Sequence, residues 1–141
     1  MTLDELKQIV ERELKIDESE LGIESLRNQK LYTQFLEYKT NFEFLLYQAK
    51  GNYKRVYKEK WEYYGGKSDA KVYATKPFDL KVLKTDLSIY IESDQELIDA
   101  ENKVGYYESV IKYIDGVLKT IQSRGWDIKN AIEWRKFENG F

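Results

Sequence analysis

Residues 97–121, LIDAENKVGYYESVIKYIDGVLKTI, decide the fold class. Leu97, Ala100, Val104, Tyr107, Ile111, Ile114, Leu118 and Ile121 recur at alternating intervals of three and four, the period of a helix burying one stripe against another helix. Ile98, Val110 and Val117 widen that stripe enough to meet more than one partner. Ser93 and Glu96 stand just ahead at capping-box spacing, which predicts a heptad-patterned helix over 93–124. Gly125 reads as its break, with a short terminal helix over 125–141.

Upstream, Leu31, Phe35, Tyr38, Phe42, Leu45 and Ala49 keep the same alternation, predicting a long helix over 17–64 with Asp17 or Ser19 as its cap. Unbroken, it would span roughly 65 to 70 Å, too long for a compact chain of this size, so a bend is expected near Thr40-Asn41 or Gly51-Asn52. Gly65-Gly66 should end it. The segment 65–92 follows with the single proline, Pro77, and the alternating pieces Lys71-Val72-Tyr73 and Leu80-Lys81-Val82-Leu83, and it reads as a loop or a short β-hairpin. A first helix over 1–16 starts at a Thr2/Glu5 capping box and carries Leu3, Leu6, Ile9, Val10 and Leu14. The expected fold is mainly α: long helices in a hairpin or bundle with a small insertion, in a single domain of 141 residues.

The chain has no cysteine and no histidine, which removes disulfides, His/Cys zinc sites, thiol catalysis and His-based proton relays. Asp79-Leu80-Lys81 has half the form of a nuclease site but lacks a placed second carboxylate, and Gly65-Gly66-Lys67-Ser68 lacks the earlier glycine of a phosphate loop. The acidic cluster Asp94, Glu96, Asp99, Glu101 is accounted for by a helix N-terminus. We therefore expect no enzyme, no metal and no cofactor. The start Met1-Thr2-Leu3-Asp4-Glu5 lacks a basic leader and no apolar run reaches membrane-spanning length, so the expectation is a soluble, intracellular protein.

Net charge is −2, but it is segregated: −5 over 1–24, +7 over 25–84 and −4 over 85–141. Such a basic middle suits a surface that meets an anionic polymer. Its densest part holds Lys50, Lys54, Arg55, Lys58, Lys60 and Lys67, interleaved with Tyr53, Tyr57, Trp61 and Tyr64. Lysines neutralise phosphates and exposed rings stack on the bases of a single strand. Alternatively the rings are core and the lysines cover their edges. Sequence leaves both readings open.

Two stretches carry a resemblance. Ser123-Arg124-Gly125-Trp126-Asp127-Ile128-Lys129, followed by Arg135-Lys136-Phe137-Glu138-Asn139-Gly140, resembles the C-terminal signature of UvsY-type recombination mediators of T-even-like phages. Lys58-Glu59-Lys60-Trp61-Glu62-Tyr63-Tyr64-Gly65-Gly66-Lys67 is similar to the family's mid-chain basic-x-basic-x-acid-Tyr-Tyr-x-Gly-basic run. The resemblance implies a bacteriophage protein of DNA recombination, replication and repair, working in the cytoplasm of the infected host. It implies a ring-like homo-oligomer of about six or seven subunits that binds single-stranded DNA. It also implies two protein partners, a RecA-type recombinase to be loaded and the phage single-strand-binding protein to be displaced. Lys58 and Lys60 are the implied DNA contacts, although lysine at 60 lacks the planar fork of the family's arginine. They also point about 200° apart on a helix.

The C-terminal region is implied in assembly, which suggests Ile111, Ile114, Leu118, Ile121, Trp126, Ile128, Ile132, Trp134 and Phe137 as oligomerisation residues. DNA-binding candidates are Lys50, Lys54, Arg55, Tyr57, Lys58, Lys60, Trp61 and Lys67. The competing reading is a structural helical scaffold whose mid-chain lysines are a solvated face.

Overall fold

The structure, a computed structural model, describes residues 1–140. It comprises α1 (Leu3–Glu13), a 3₁₀ turn (Glu18–Glu20), α2 (Leu21–Tyr64), α3 (Ala70–Thr75), α4 (Leu87–Glu92) and α5 (Gln95–Glu138). No strand occurs among the described residues. Of the two alternatives for the insertion the hairpin is therefore excluded, and two short helices punctuate an otherwise irregular segment. No helix among the described residues is long and apolar enough to cross a membrane.

Several starts follow their local chemistry. The Thr2 hydroxyl accepts from the Glu5 amide at 3.2 Å while Glu5 Oε2 accepts from the Thr2 amide at 3.1 Å, a complete capping box. Asp17 caps the 3₁₀ turn by accepting from the Ser19 amide at 3.0 Å. For α5 the cap is Asp94 rather than Ser93: Asp94 Oδ1 accepts from the amides of Glu96 and Leu97 at 2.9 and 3.3 Å. Ser93 instead donates its hydroxyl to the Ile89 carbonyl at 2.7 Å, closing α4.

Neither long helix breaks where poor helix formers invited it. α2 is helical through both Thr40-Asn41 and Gly51-Asn52, and α5 runs through Gly125 to Glu138, so the separate terminal helix over 125–141 is corrected to one continuous element. Propensity costs of about 1 kcal/mol per glycine are small beside tertiary packing. Phe141, the last residue of that predicted helix, lies outside the described residues.

The described residues group into two compact units, each using part of both long helices: Met1–Glu43 with the described part of Ser109–Phe141, and Phe44–Glu108. The first unit has its core in Leu6, Leu21, Leu31, Phe35, Phe42, Val110, Ile114, Val117, Leu118, Ile121 and Ile128, all buried. An ion pair between Lys39 and Asp115, 2.8 Å apart, ties α2 to α5 there. In the second unit Leu46, Ala49, Ile91, Leu97 and Ala100 are buried. Leu45, placed in the stripe by heptad spacing, is exposed and Leu46 takes its place, as expected because a straight helix drifts ~20° per heptad from a strict seven-residue repeat.

Candidate nucleic-acid interface

All eight DNA-binding candidates fall within the second unit, on the C-terminal part of α2 and the turn after it. The helix sorts them by face. Lys50, Lys54, Arg55, Lys58, Trp61 and Lys67 are exposed, whereas Tyr57 and Lys60 are half-buried, as is the neighbouring Tyr53. Lys50, Lys54, Lys58 and Trp61 follow one another at intervals of four, four and three, which aligns them on one outward face. Tyr47, three residues before Lys50 on the same face and well exposed, extends this row. It escaped sequence reading because an aromatic at helical spacing is usually core.

Lys60 stands apart from the exposed row. Its side chain is only 13% exposed and its Nζ lies 3.6 Å from Asp94 and 3.2 Å from Glu96. Lys58, by contrast, is 78% exposed and only loosely paired with Glu62 at 3.9 Å, a contact worth little in water. The two lysines thus have different environments, as their angular separation demands.

The Tyr-Tyr-Gly-Gly run is an anchored helix end. The Lys67 amide donates to the Glu62 carbonyl at 2.8 Å and the Gly66 amide to the Tyr63 carbonyl at 3.3 Å, a Schellman closure with Gly66 at φ 75°. A Cβ on Gly65 would stand 2.8 Å from the Trp61 carbonyl oxygen. Tyr63 stacks on Tyr73 and leans on Phe78, with ring centroids 5.5 Å apart in each case, and Tyr64 meets Phe78 edge-on at 5.0 Å. Tyr73 donates its hydroxyl to the Tyr63 carbonyl at 2.8 Å, so the insertion is fastened to the end of α2. Tyr63 and Tyr64, both half-buried, are thus packed against the insertion. The closure brings Lys67 Nζ to 4.2 Å from the Trp61 ring centre, setting charge and ring side by side at the surface.

Behind this end lies a cavity of about 750 Å³ lined by residues that include Lys60, Lys67, Lys71, Lys76, Asp94 and Glu96. Tyr64 donates to Asp94 at 2.6 Å. Burial first, and that hydrogen bond second, push the Tyr64 phenol well above its usual value. Burial would raise Asp94 too, but Tyr64, Lys60 and the two capped amides outweigh it and hold the carboxyl below its ordinary range. Lys60 first and then Lys76, 3.3 Å away, lower Glu96. Asp94 and Glu96 went unread as site residues because their partner Lys60 lies more than thirty positions away, and Lys76 because it stands in an irregular segment.

The assembly candidates also divide. Ile114, Leu118, Ile121 and Ile128 are buried in the first unit's own core, so they are corrected from interface to core residues. Ile111 and Ile132 are half-buried. Trp126, Trp134 and Phe137 are 65%, 60% and 71% exposed, with Trp134 and Phe137 stacked at 5.5 Å. Arg124 of the signature is buried: it donates to the carbonyls of Leu14 at 3.0 Å and Lys15 at 3.1 Å, to Asn28 Oδ1 at 3.0 Å, and to Glu24. Among the described residues no cluster of three or more potential metal ligands occurs.

The family model described as recombination, repair and ssDNA binding protein UvsY matches residues 9–141. The recombination protein uvsY of Enterobacteria phage T4 is 25% identical over 140 residues, covering 99% of each chain. Crystal structures of the bacteriophage T4 recombination mediator protein UvsY have the same fold. Lattice type II gives a TM-score of 0.84 at 23% identity, covering 99% of both chains. Lattice type I gives 0.83 at 22% identity, covering 95% of this chain and 98% of that one.

Proposed function

The chain belongs to the UvsY family of recombination, repair and single-stranded-DNA-binding proteins, and from that premise we propose that it is a recombination mediator acting without catalysis. In this reading it binds single-stranded DNA as a homo-oligomer of about six or seven subunits. It promotes loading of a RecA-type recombinase onto strands covered by single-strand-binding protein, in the cytoplasm of the phage-infected host.

The observation that carries the reading is the outward face of α2. Lys50, Lys54 and Lys58 are exposed there beside the exposed Tyr47 and Trp61, with Lys67 against the Trp61 ring. Lysine rows neutralise phosphates with counterion release, and each stacked base contributes about 1–3 kcal/mol. Duplex DNA hides its base faces, so such a row favours single strands. Repeated around an oligomer, weak patches gain avidity of about 10²- to 10⁴-fold and can wrap one strand. That would loosen a competing protein coat without ATP.

Fluorescence anisotropy on labelled oligo-dT and matched duplex, across a salt series, tests this. The expected result is a strong single-strand preference with a steep salt slope. Lys58→Ala should flatten the slope by about 0.7, the value of one phosphate contact on a single strand, and Trp61→Ala should weaken binding with the slope kept. Failure to bind either substrate at low salt would replace this reading by a structural helical scaffold.

A further inference from the structure

We propose that the cavity behind the end of α2 is a phosphate subsite, closed in the free protein by the Glu96 carboxylate acting as an internal stand-in for the phosphate. Lys60 and Lys76 converge on Glu96 at 3.2 and 3.3 Å; Lys67 and Lys71 line the same cavity, as do the carboxylates of Glu59, Glu62 and Asp69, so the subsite rests on the converging pair rather than on the charge of the whole lining. Two cations converging on one anionic group is the arrangement that a bound phosphate requires.

The two carboxylates facing Lys60 differ in how firmly they are held. Asp94 is 11% exposed and fixed by the Tyr64 hydroxyl and by two amides at the start of α5. It is the permanent partner of a largely buried ammonium. Glu96 is 54% exposed and holds its place through lysines, including Lys76, itself 68% exposed. The Lys76–Glu96 pair is exposed on both sides and exchanges at little cost. A phosphate entering from solvent can therefore displace Glu96 while Asp94 keeps Lys60 partly neutralised. The inference rests on the single-strand reading above and deepens it: a strand phosphate would be engaged at this subsite as well as on the outward face, after release of an internal competitor. Lys58 would contact the strand at once, Lys60 only once Glu96 has moved.

The test is the oligo-dT salt series run on wild type, Lys58→Ala, Lys76→Ala, Glu96→Gln, and Lys60→Met/Glu96→Gln, each checked by thermal melting. Glu96→Gln should tighten binding about two- to fivefold, the worth of an exposed pair, and steepen the salt slope. The double variant should lose that gain, and Lys76→Ala, an exposed position, should weaken binding without change in melting. Inorganic phosphate as competitor distinguishes the source: competition at matched phosphate concentration marks a general phosphate site, and its absence a site for strand phosphate. Unchanged affinity and slope in Glu96→Gln, with Lys58→Ala still weakening binding, would overturn the subsite and leave the single-strand reading standing. No binding by any variant, Glu96→Gln included, would overturn both.

Discussion

Arg124 sits in the most recognisable stretch of the sequence and yet reaches no surface, being 3% exposed. Together with Arg27, which donates to the Glu13 carbonyl at 2.8 Å, it satisfies carbonyls at and just beyond the end of α1. Gly125 beside it admits Asn28: a Cβ there would stand 3.1 Å from the Asn28 amide nitrogen, which donates to the Ile121 carbonyl at 2.8 Å. The glycine thus makes room for a contact between α2 and α5 from within the helix. The sequence announced the residues but not their work, since Leu14, Lys15 and Asn28 lie roughly a hundred positions away. Arg124→Ala leaves Glu24 buried without that partner, and a loss of about 3–5 kcal/mol in urea unfolding is expected. Glu24 is itself held below its ordinary value of 4.5, first by the hydrogen bond from Arg27, against burial. Its ionisation therefore stabilises the fold fully above pH 4.5 and ceases to do so as pH falls through the lower folded value. Glu24→Gln should melt below wild type at pH 7, with the gap narrowing under acid conditions below that range.

At the scale of elements, glycine ends a helix only where backbone geometry uses it. Gly66 at φ 75° completes the closure of α2, whereas Gly105, Gly116 and Gly125 are carried inside α5. Gly66→Ala should cost about 1–2 kcal/mol for the left-handed conformation. Gly65→Ala should cost more than about 1 kcal/mol, because its Cβ would meet a backbone carbonyl rather than a movable side chain. Both should weaken oligo-dT binding by disturbing the Lys67–Trp61 pair, read as a lower melting temperature together with reduced affinity. The long helices were legible because their apolar period spans many turns, and the Thr2/Glu5 cap because it is local. The insertion was not legible: Ala70–Thr75 and Leu87–Glu92 are too short to show a period. Their order comes from contacts such as Tyr63 with Tyr73 and Tyr64 with Phe78.

At the scale of the whole molecule, an excess of apolar surface could be read from the stripes, but its location needed packing. The heptad residues Ile114, Leu118 and Ile121, with Ile128 beyond them, are consumed by the chain's own core. Left over in the first unit are Trp126, Trp134 and Phe137, which share one face of α5, together with Ile23 and Leu26 at 59% and 82% exposure. Large rings so exposed mark an interaction surface, and this is where the proposed assembly would rest. Deleting residues 123–141 would be an ambiguous test, because it also removes Arg124 and Ile128 from the core. The combined Trp126→Gln/Trp134→Gln/Phe137→Gln variant keeps that core. It should melt close to wild type yet run as a monomer in light scattering at concentrations where wild type is oligomeric. Its affinity for long oligo-dT should fall about 100-fold or more, the avidity that linked patches supply, while its affinity for a strand short enough to occupy one patch is unchanged. An intact oligomer would place assembly on another surface. A monomer with undiminished affinity for long strands would detach DNA binding from assembly altogether.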